Sequence, residues 1–258
     1  MTLYDDLDPA RAQALCSALG LQERPVRGAA LAPFFHQIYF WQVLPPADLG
    51  RDGHPKLGGL IPDLGLPRRM WAGGRLAFHA PLRAGLAAVK VSQVENVTRK
   101  NGRSGPLAFV TLRHEIRQAG ALVVTEWQDL VYRDDPDKTV GTSLVRAPDD
   151  PAGAQAITFD TTLLFRYSAL TLNGHRIHYD ETYARNVEHY PGLVVHGPLL
   201  AQVLMLKAQR ELGVLSGFSF RATAPLIQGE EAVLCRDGHK LWVRGADGRL
   251  CMDAEAVV

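Results

Sequence analysis

Ser168 to Gly197 reads SALTLNGHRIHYDETYARNVEHYPGLVVHG. Asn173, His175 and His178 sit at tight spacing inside an otherwise apolar half of the chain. The segment then runs through Val194-Val195-His196-Gly197 into Pro198 and a long apolar stretch that predicts a helix over about 198–212. One short segment thus offers imidazoles for general-base work and a glycine at a helix start, where free backbone N–H groups can receive an oxyanion. Chemistry on an activated carbonyl needs both.

Working outward, the same half predicts a short strand at Ile157–Asp160 and, after the helix, strands at Gly217–Ala222, Glu231–Arg236, Lys240–Arg244 and Leu250–Val257. Asp180 precedes Glu181–Arg185 as a helix cap. The N-terminal half predicts a helix within Asp5–Leu19, with Asp8-Pro9 at its start and Gly20 at its end. Phe34–Val43 is ambiguous, and Leu44–Leu66, rich in Pro and Gly, reads as loop. Val89–Thr98, Leu107–Arg117 and Leu122–Tyr132 then form an antiparallel meander with turns at Asn101-Gly102 and Ala119-Gly120.

The two halves repeat each other. Ala80-Pro81-Leu82-Arg83-Ala84-Gly85 returns as Ala224-Pro225-Leu226-Ile227-Gln228-Gly229, and Ala88-Val89 returns at the same offset as Ala232-Val233. Aromatic strand-like residues precede both copies, Leu76–Phe78 and Phe218–Phe220. Similarity at so large an offset points to tandem related units. The expected division is an N-terminal unit at 1–135, a linker at 136–156 rich in Asp, Pro, Gly and Ala, and a C-terminal unit at 157–258.

Composition narrows the classes. The chain has 258 residues, 47% hydrophobic and 21% charged, with a net charge of +1. That gives no overall field to attract nucleic acid or an acidic membrane, although Arg68-Arg69 and Arg113–Arg117 are local basic clusters. Cys16, Cys235 and Cys251 form neither a disulfide framework nor a zinc set, and the nine histidines show no metal-ligand spacing, so no metal is expected. The start of the chain lacks the basic-then-apolar pattern of a signal peptide, and no apolar run is long enough to span a bilayer; a cytoplasmic location is expected. Gly58-Gly59 and Gly73-Gly74 lack phosphate-loop spacing, and there is no Gly-x-Ser-x-Gly elbow.

Leu193-Val194-Val195-His196-Gly197-Pro198-Leu199-Leu200-Ala201 resembles the helix start of MaoC-like (R)-specific enoyl-CoA hydratases, which have a hot-dog fold. Ser168–Asp180 is similar to the hydratase motif of that family, and Phe218–Arg221 with Pro225–Glu230 is similar to its next strand pair. The family's catalytic His falls on His178, but its Asp falls on Asn173 and its Asn on His175. This altered form, together with Pro67-Arg68-Arg69-Met70-Trp71-Ala72-Gly73-Gly74, resembles a subgroup that includes itaconyl-CoA and mesaconyl-CoA hydratases and mitochondrial-type 3-hydroxyacyl-thioester dehydratases.

The resemblance implies an α+β tandem double hot-dog, with antiparallel sheet wrapped around a long central helix. It implies a hydro-lyase acting on an acyl-CoA thioester, with no cofactor beyond CoA as part of the substrate, and it admits a homodimer of the fused chain. His178 is then the expected base and Gly197 the expected oxyanion donor. Asn173 cannot titrate, so it can only orient water or a ring, and His175 is a second proton-transfer candidate. Arg176, Arg68 and Arg69 are candidate cations for a CoA phosphate or a substrate carboxylate, with Trp71 and His196 as further substrate contacts. The other histidines, His54 among them, read as incidental. The acyl group reads as short, branched or dicarboxylic. The alternatives are a fatty 3-hydroxyacyl-thioester dehydratase, a thioesterase, and a catalytically silent acyl-thioester binder. The expected site lies in the C-terminal unit, with 67–74 shaping the acyl pocket.

Overall fold

The computed structural model describes residues 1–102, 105–135, 144–149, 151 and 153–258. Ten antiparallel strands form one sheet in the order β1-β3-β4-β5-β2-β7-β10-β9-β8-β6. In chain order these are β1 (Thr2–Asp5), β2 (Arg68–Phe78), β3 (Ala88–Gly102), β4 (Gly105–Gln118), β5 (Ala121–Arg133), β6 (Gln155–Thr158), β7 (Gly217–Ala222), β8 (Glu231–Asp237), β9 (Lys240–Gly245) and β10 (Leu250–Val257). The helices are α1 (Pro9–Ala18), α2 (Thr161–Thr171), α3 (Glu181–Asn186) and α4 (Gly197–Leu212).

The strand order is its own mirror about the β2–β7 pair: each half runs short edge strand, three-stranded meander, then seam strand. The two Ala-Pro-Leu copies occupy equivalent places, after β2 in one half and after β7 in the other. The seam explains why β2 begins earlier than its sequence suggests. Gly73 and Gly74 weaken strand propensity, yet at the seam Gly73 pairs with Arg221, and a Cβ on Gly73 would lie 2.5 Å from the Phe220 carbonyl oxygen. A side chain there would push the halves apart.

α4 is the central helix. Leu199, Leu200, Ala201, Leu204, Met205 and Ala208 are buried along it, and it packs on β2, β7, β9 and β10. A helix apolar on nearly every side has to sit inside the sheet's curve. Among its described residues, the N-terminal half has no helix of that length under its strands. α1 has ten residues, capped as expected by Asp8, whose side chain accepts from the Ala10 N–H at 2.9 Å. The irregular 31–66 segment covers the rest, its Phe34–Val43 part containing a 3-10 turn at Phe35–Ile38. His36 and His114, which read as incidental, hold the space beneath β3–β5 together. His36 Nε2 lies 2.9 Å from Glu126 Oε2, and His114 Nδ1 lies 2.7 Å from Ser92 Oγ.

β1 and α2 are not foreshadowed in the sequence. β1 is four residues at an edge, and α2 is capped by Asp160, which reads as a strand end but accepts from the Leu163 N–H at 2.7 Å. The three cysteines are buried and form no disulfide among the described residues. Positions 136–143, 150 and 152 of the expected linker fall outside the described residues. No helix among the described residues is long and apolar enough to cross a membrane.

Candidate active site

The Asn173–Asp180 segment links α2 to α3 and is folded by its own short-range bonds. Leu172 ends α2 in the left-handed region, at φ 49°. Asn173 then turns its Oδ1 back to accept the His175 N–H at 3.0 Å, an Asx turn that starts a 3-10 turn over Arg176–His178. Asp180 caps α3 through the Tyr183 N–H at 2.9 Å. His175 and His178 emerge on one side, their ring centroids 5.3 Å apart and edge to face.

His178 is 6% exposed. Its Nδ1 lies 2.7 Å from the Val194 carbonyl oxygen, an atom that can only accept, so Nδ1 carries the proton and Nε2 carries the lone pair of the neutral ring. Burial pushes the ring's pKa down to about 4, against a smaller upward pull from that hydrogen bond. At neutral pH His178 is an uncharged ring with its tautomer set by the backbone.

The wall of a 220 Å³ cavity contains Asn173, His175, His178, Gly197, Arg68, Arg69 and Trp71. Gly197 is the first residue of α4, so its N–H has no intrahelical acceptor, and Pro198 is the second rather than the first helical position. A Cβ at 197 would meet only the Trp71 carbonyl oxygen, at 3.8 Å. The fold does not demand glycine there. Asn173 spends its Oδ1 on the turn, which leaves its amide N–H groups as its free polar function. Trp71 donates Nε1–H to the Gly73 carbonyl at 2.9 Å and packs between Phe34 and Phe220.

Two sequence candidates lie elsewhere. His196 is wholly buried behind His178, stacked on it with centroids 3.7 Å apart, and its Nε2 sits 2.8 Å from Ser168 Oγ. It is absent from the cavity wall, because the residue before Gly197 turns inward as the helix begins. Arg176 also stays out of the cavity. Its guanidinium donates to Asp180 Oδ2 at 2.7 Å and to the Arg51 carbonyl at 3.1 Å, and lies 4.3 Å over the Tyr183 ring. Arg68 lines the cavity but is already neutralised: its Nε is 2.5 Å from Glu188 Oε2, and Nη2 donates to the Tyr190 hydroxyl at 2.8 Å. Arg69 has no carboxylate within ion-pair distance among the described residues.

The structure adds His54, which sequence reasoning dismissed. Its ring centroid lies 4.6 Å from that of His175, and it lines the cavity from the N-terminal half. The 50–55 loop that carries it closes on itself through Gly50 N–H to the His54 carbonyl at 2.7 Å, and docks by Arg176 N–H to the Asp52 carbonyl at 2.9 Å. Docking needs two glycines face to face: a Cβ on Gly53 would fall 1.9 Å from the Gly174 carbonyl oxygen. Burial holds the His54 and His175 rings well below their usual range, with Arg69 a further cause for both. Donor atoms of Asp52, His54 and His175 lie within 4.8 Å of one another, a gathering that sequence spacing conceals. The Arg69 guanidinium acts on both rings, and its positive charge disfavours a second cation at the same place.

A second cavity of about 530 Å³ adjoins the first and shares His54, Arg69, Trp71, Asn173 and Pro198 with it; Leu57, Leu60, Ile61 and Leu112 supply apolar wall.

The family model of hydroxyacyl-thioester dehydratase type 2 matches residues 34–228. The chain is 43% identical over 256 residues to a mesaconyl-C(4)-CoA hydratase of Chloroflexus aurantiacus, covering 96% of this chain and 91% of that one. Among solved structures, HtdX of Mycobacterium tuberculosis superposes with a TM-score of 0.72 at 15% identity, over 99% of this chain and 98% of that one. Another M. tuberculosis protein, described as a double hot-dog, gives 0.63 at 14% identity over 99% and 94%. These two likenesses establish the fold. With the family match and the relative of near-equal length, they make the chain a member of the hydroxyacyl-thioester dehydratase type 2 family, a hydro-lyase on a double hot-dog scaffold.

Proposed function

We propose that the protein reversibly hydrates a short, branched or dicarboxylic enoyl-CoA thioester of the mesaconyl-CoA or itaconyl-CoA type, with His178 Nε2 as the base. The observation that carries this is the His178 Nδ1–Val194 carbonyl bond: it presents an unprotonated Nε2 in the wall that also holds Gly197. Nε2 takes a proton from water as the oxygen attacks the β carbon, the Gly197 N–H receives the charge that moves onto the thioester oxygen, and the α carbon takes a proton. The helix dipole at the start of α4 favours the same charge. Asn173 supplies N–H groups to hold the water. With no carboxylate at 173, His178 serves both directions of proton transfer, or His175 shares the work.

The apolar part of the adjoining cavity wall favours a second reading, a 3-hydroxyacyl-thioester dehydratase for longer chains, in which the acyl tail runs past Leu57 and Leu60. A thioesterase needs a carboxylate or activated water aimed at the carbonyl carbon, and Asn173 offers none. A silent binder leaves the fixed tautomer of His178 without purpose.

The test follows enoyl absorbance with mesaconyl-C4-CoA, itaconyl-CoA, crotonyl-CoA and a medium-chain enoyl-CoA, with a thiol reagent to detect released CoA. Hydration of the short substrates without CoA release supports the proposal. Preference for the medium chain moves the assignment to the dehydratase, and CoA release moves it to the thioesterase.

A further inference from the structure

We propose that Arg69 and Tyr132 form the receptor for the free carboxylate of a dicarboxylic enoyl thioester, and so set the substrate class of the active site. The inference rests on the hydratase reading above and specifies what that site selects.

Arg69 on β2 and Tyr132 on β5 are direct partners across the antiparallel ladder. Opposed residues project from the same face and lie about 5 Å apart at their Cβ atoms. Tyr132 is 2% exposed, and its hydroxyl has no hydrogen-bond partner among the described residues. Arg69 is half-buried, with no carboxylate within ion-pair distance among the described residues. A buried hydroxyl without a partner thus neighbours a half-buried cation with no carboxylate in reach. The buried hydroxyl costs free energy unless a ligand meets it. A carboxylate meets both, accepting from the guanidinium fork and from the phenol.

The position suits a short acyl group. Arg69 lines both the cavity that holds His178 and Gly197 and the adjoining one that holds Tyr132. In a mesaconyl-C4 thioester the free carboxylate is bonded directly to the β carbon, the atom that water attacks. Its receptor must therefore border the catalytic cavity. The other cations nearby do not serve. Arg68 is held by Glu188. Lys90 borders only the larger cavity, on the side of Glu126 and His114. Asp52, whose charge reaches Tyr132, uses Oδ1 to accept the His54 N–H at 3.0 Å within its own loop.

The experiment compares mesaconyl-C4-CoA with crotonyl-CoA, which lacks the carboxylate, in wild type, Arg69→Gln and Tyr132→Phe. The expected result is a fall of about a hundredfold in the ratio of kcat/KM for mesaconyl-C4-CoA to that for crotonyl-CoA in Arg69→Gln. In Tyr132→Phe the same ratio falls about tenfold, chiefly through KM. Tyr132→Phe carries the test alone if Arg69→Gln does not fold. An unchanged ratio overturns the proposal, including parallel loss on both substrates, which would assign Arg69 to the CoA moiety. Wild-type activity on crotonyl-CoA with none on mesaconyl-C4-CoA removes the receptor and leaves the hydratase reading standing. Activity on neither removes both.

Discussion

The imidazoles of His178 and His196 stack with centroids 3.7 Å apart and planes 21° apart, so the ring that faces the cavity rests on one that never reaches it. Burial keeps both uncharged, and the proximity of His178 further lowers His196. A neutral plate behind the base keeps water off its back and preserves the low proton affinity of its Nε2. In wild type, kcat/KM should stay level from neutral pH down to about 5 and fall with a midpoint near 4, where His178 protonates. His196→Ala opens the rear of the ring to water. The acid midpoint should then rise toward about 6.5, with kcat reduced more than KM is raised. A pH–rate profile of both proteins reads this, and an unmoved midpoint would leave His196 as packing alone.

Acid should weaken the fold as well as the activity. An unfolded histidine binds its proton near pH 6.5, whereas folded His178 and His114 bind theirs near 4, chiefly because of burial. His54, His175 and His196 shift the same way. Between those pH values the unfolded chain holds the extra protons. Stability is therefore fully present above about pH 6.5 and declines on acidification by about 1.4 kcal/mol per pH unit for each such histidine. Urea midpoints at pH 7.5, 6 and 5 should fall in that order; midpoints independent of pH would contradict the buried neutral cluster.

Gly197 separates folding from catalysis. Because a Cβ there meets only the Trp71 carbonyl oxygen at 3.8 Å, Gly197→Ala should fold with a melting temperature within a few degrees of wild type. Its methyl narrows the approach to the helix start, and Gly197→Val blocks it. The kcat loss should grow from Ala to Val, toward the ~2.7–4 kcal/mol typical of a lost oxyanion donor. A fully active valine variant would exclude this N–H from the reaction.

Much of the fold is legible in the sequence because alternation, turn residues and the repeated Ala-Pro-Leu bend mark each strand of β3–β5 and β7–β10 locally. The helix start at Gly197 and the His175–His178 pair are legible for the same reason: their partners are near in the chain. What lies outside that reach depends on distant contacts. Nothing local to His54 announces that Gly53 will dock on Gly174. Nothing in Arg68-Arg69 tells which arginine Glu188 will neutralise. Arg176, beside two site histidines in sequence, turns to Asp180 because a residue four positions on offers it a carboxylate.

That docking is testable in its own right. Gly53 has φ +87°, and an alanine Cβ there would overlap the Gly174 carbonyl. Gly53→Ala should displace the 50–55 loop with His54, leaving the sheet intact. Far-UV circular dichroism should be unchanged while kcat/KM falls about tenfold or more, the size expected when a site loses its geometry. Unchanged kinetics would make the loop a bystander.

In the proposed reaction one imidazole, that of His178, moves the proton of water. Crotonyl-CoA hydration by folded His178→Ala, with circular dichroism matching wild type, tests it directly. The expected kcat loss is about a hundredfold or more. Turnover within a few-fold of wild type would contradict it and transfer the role to His175.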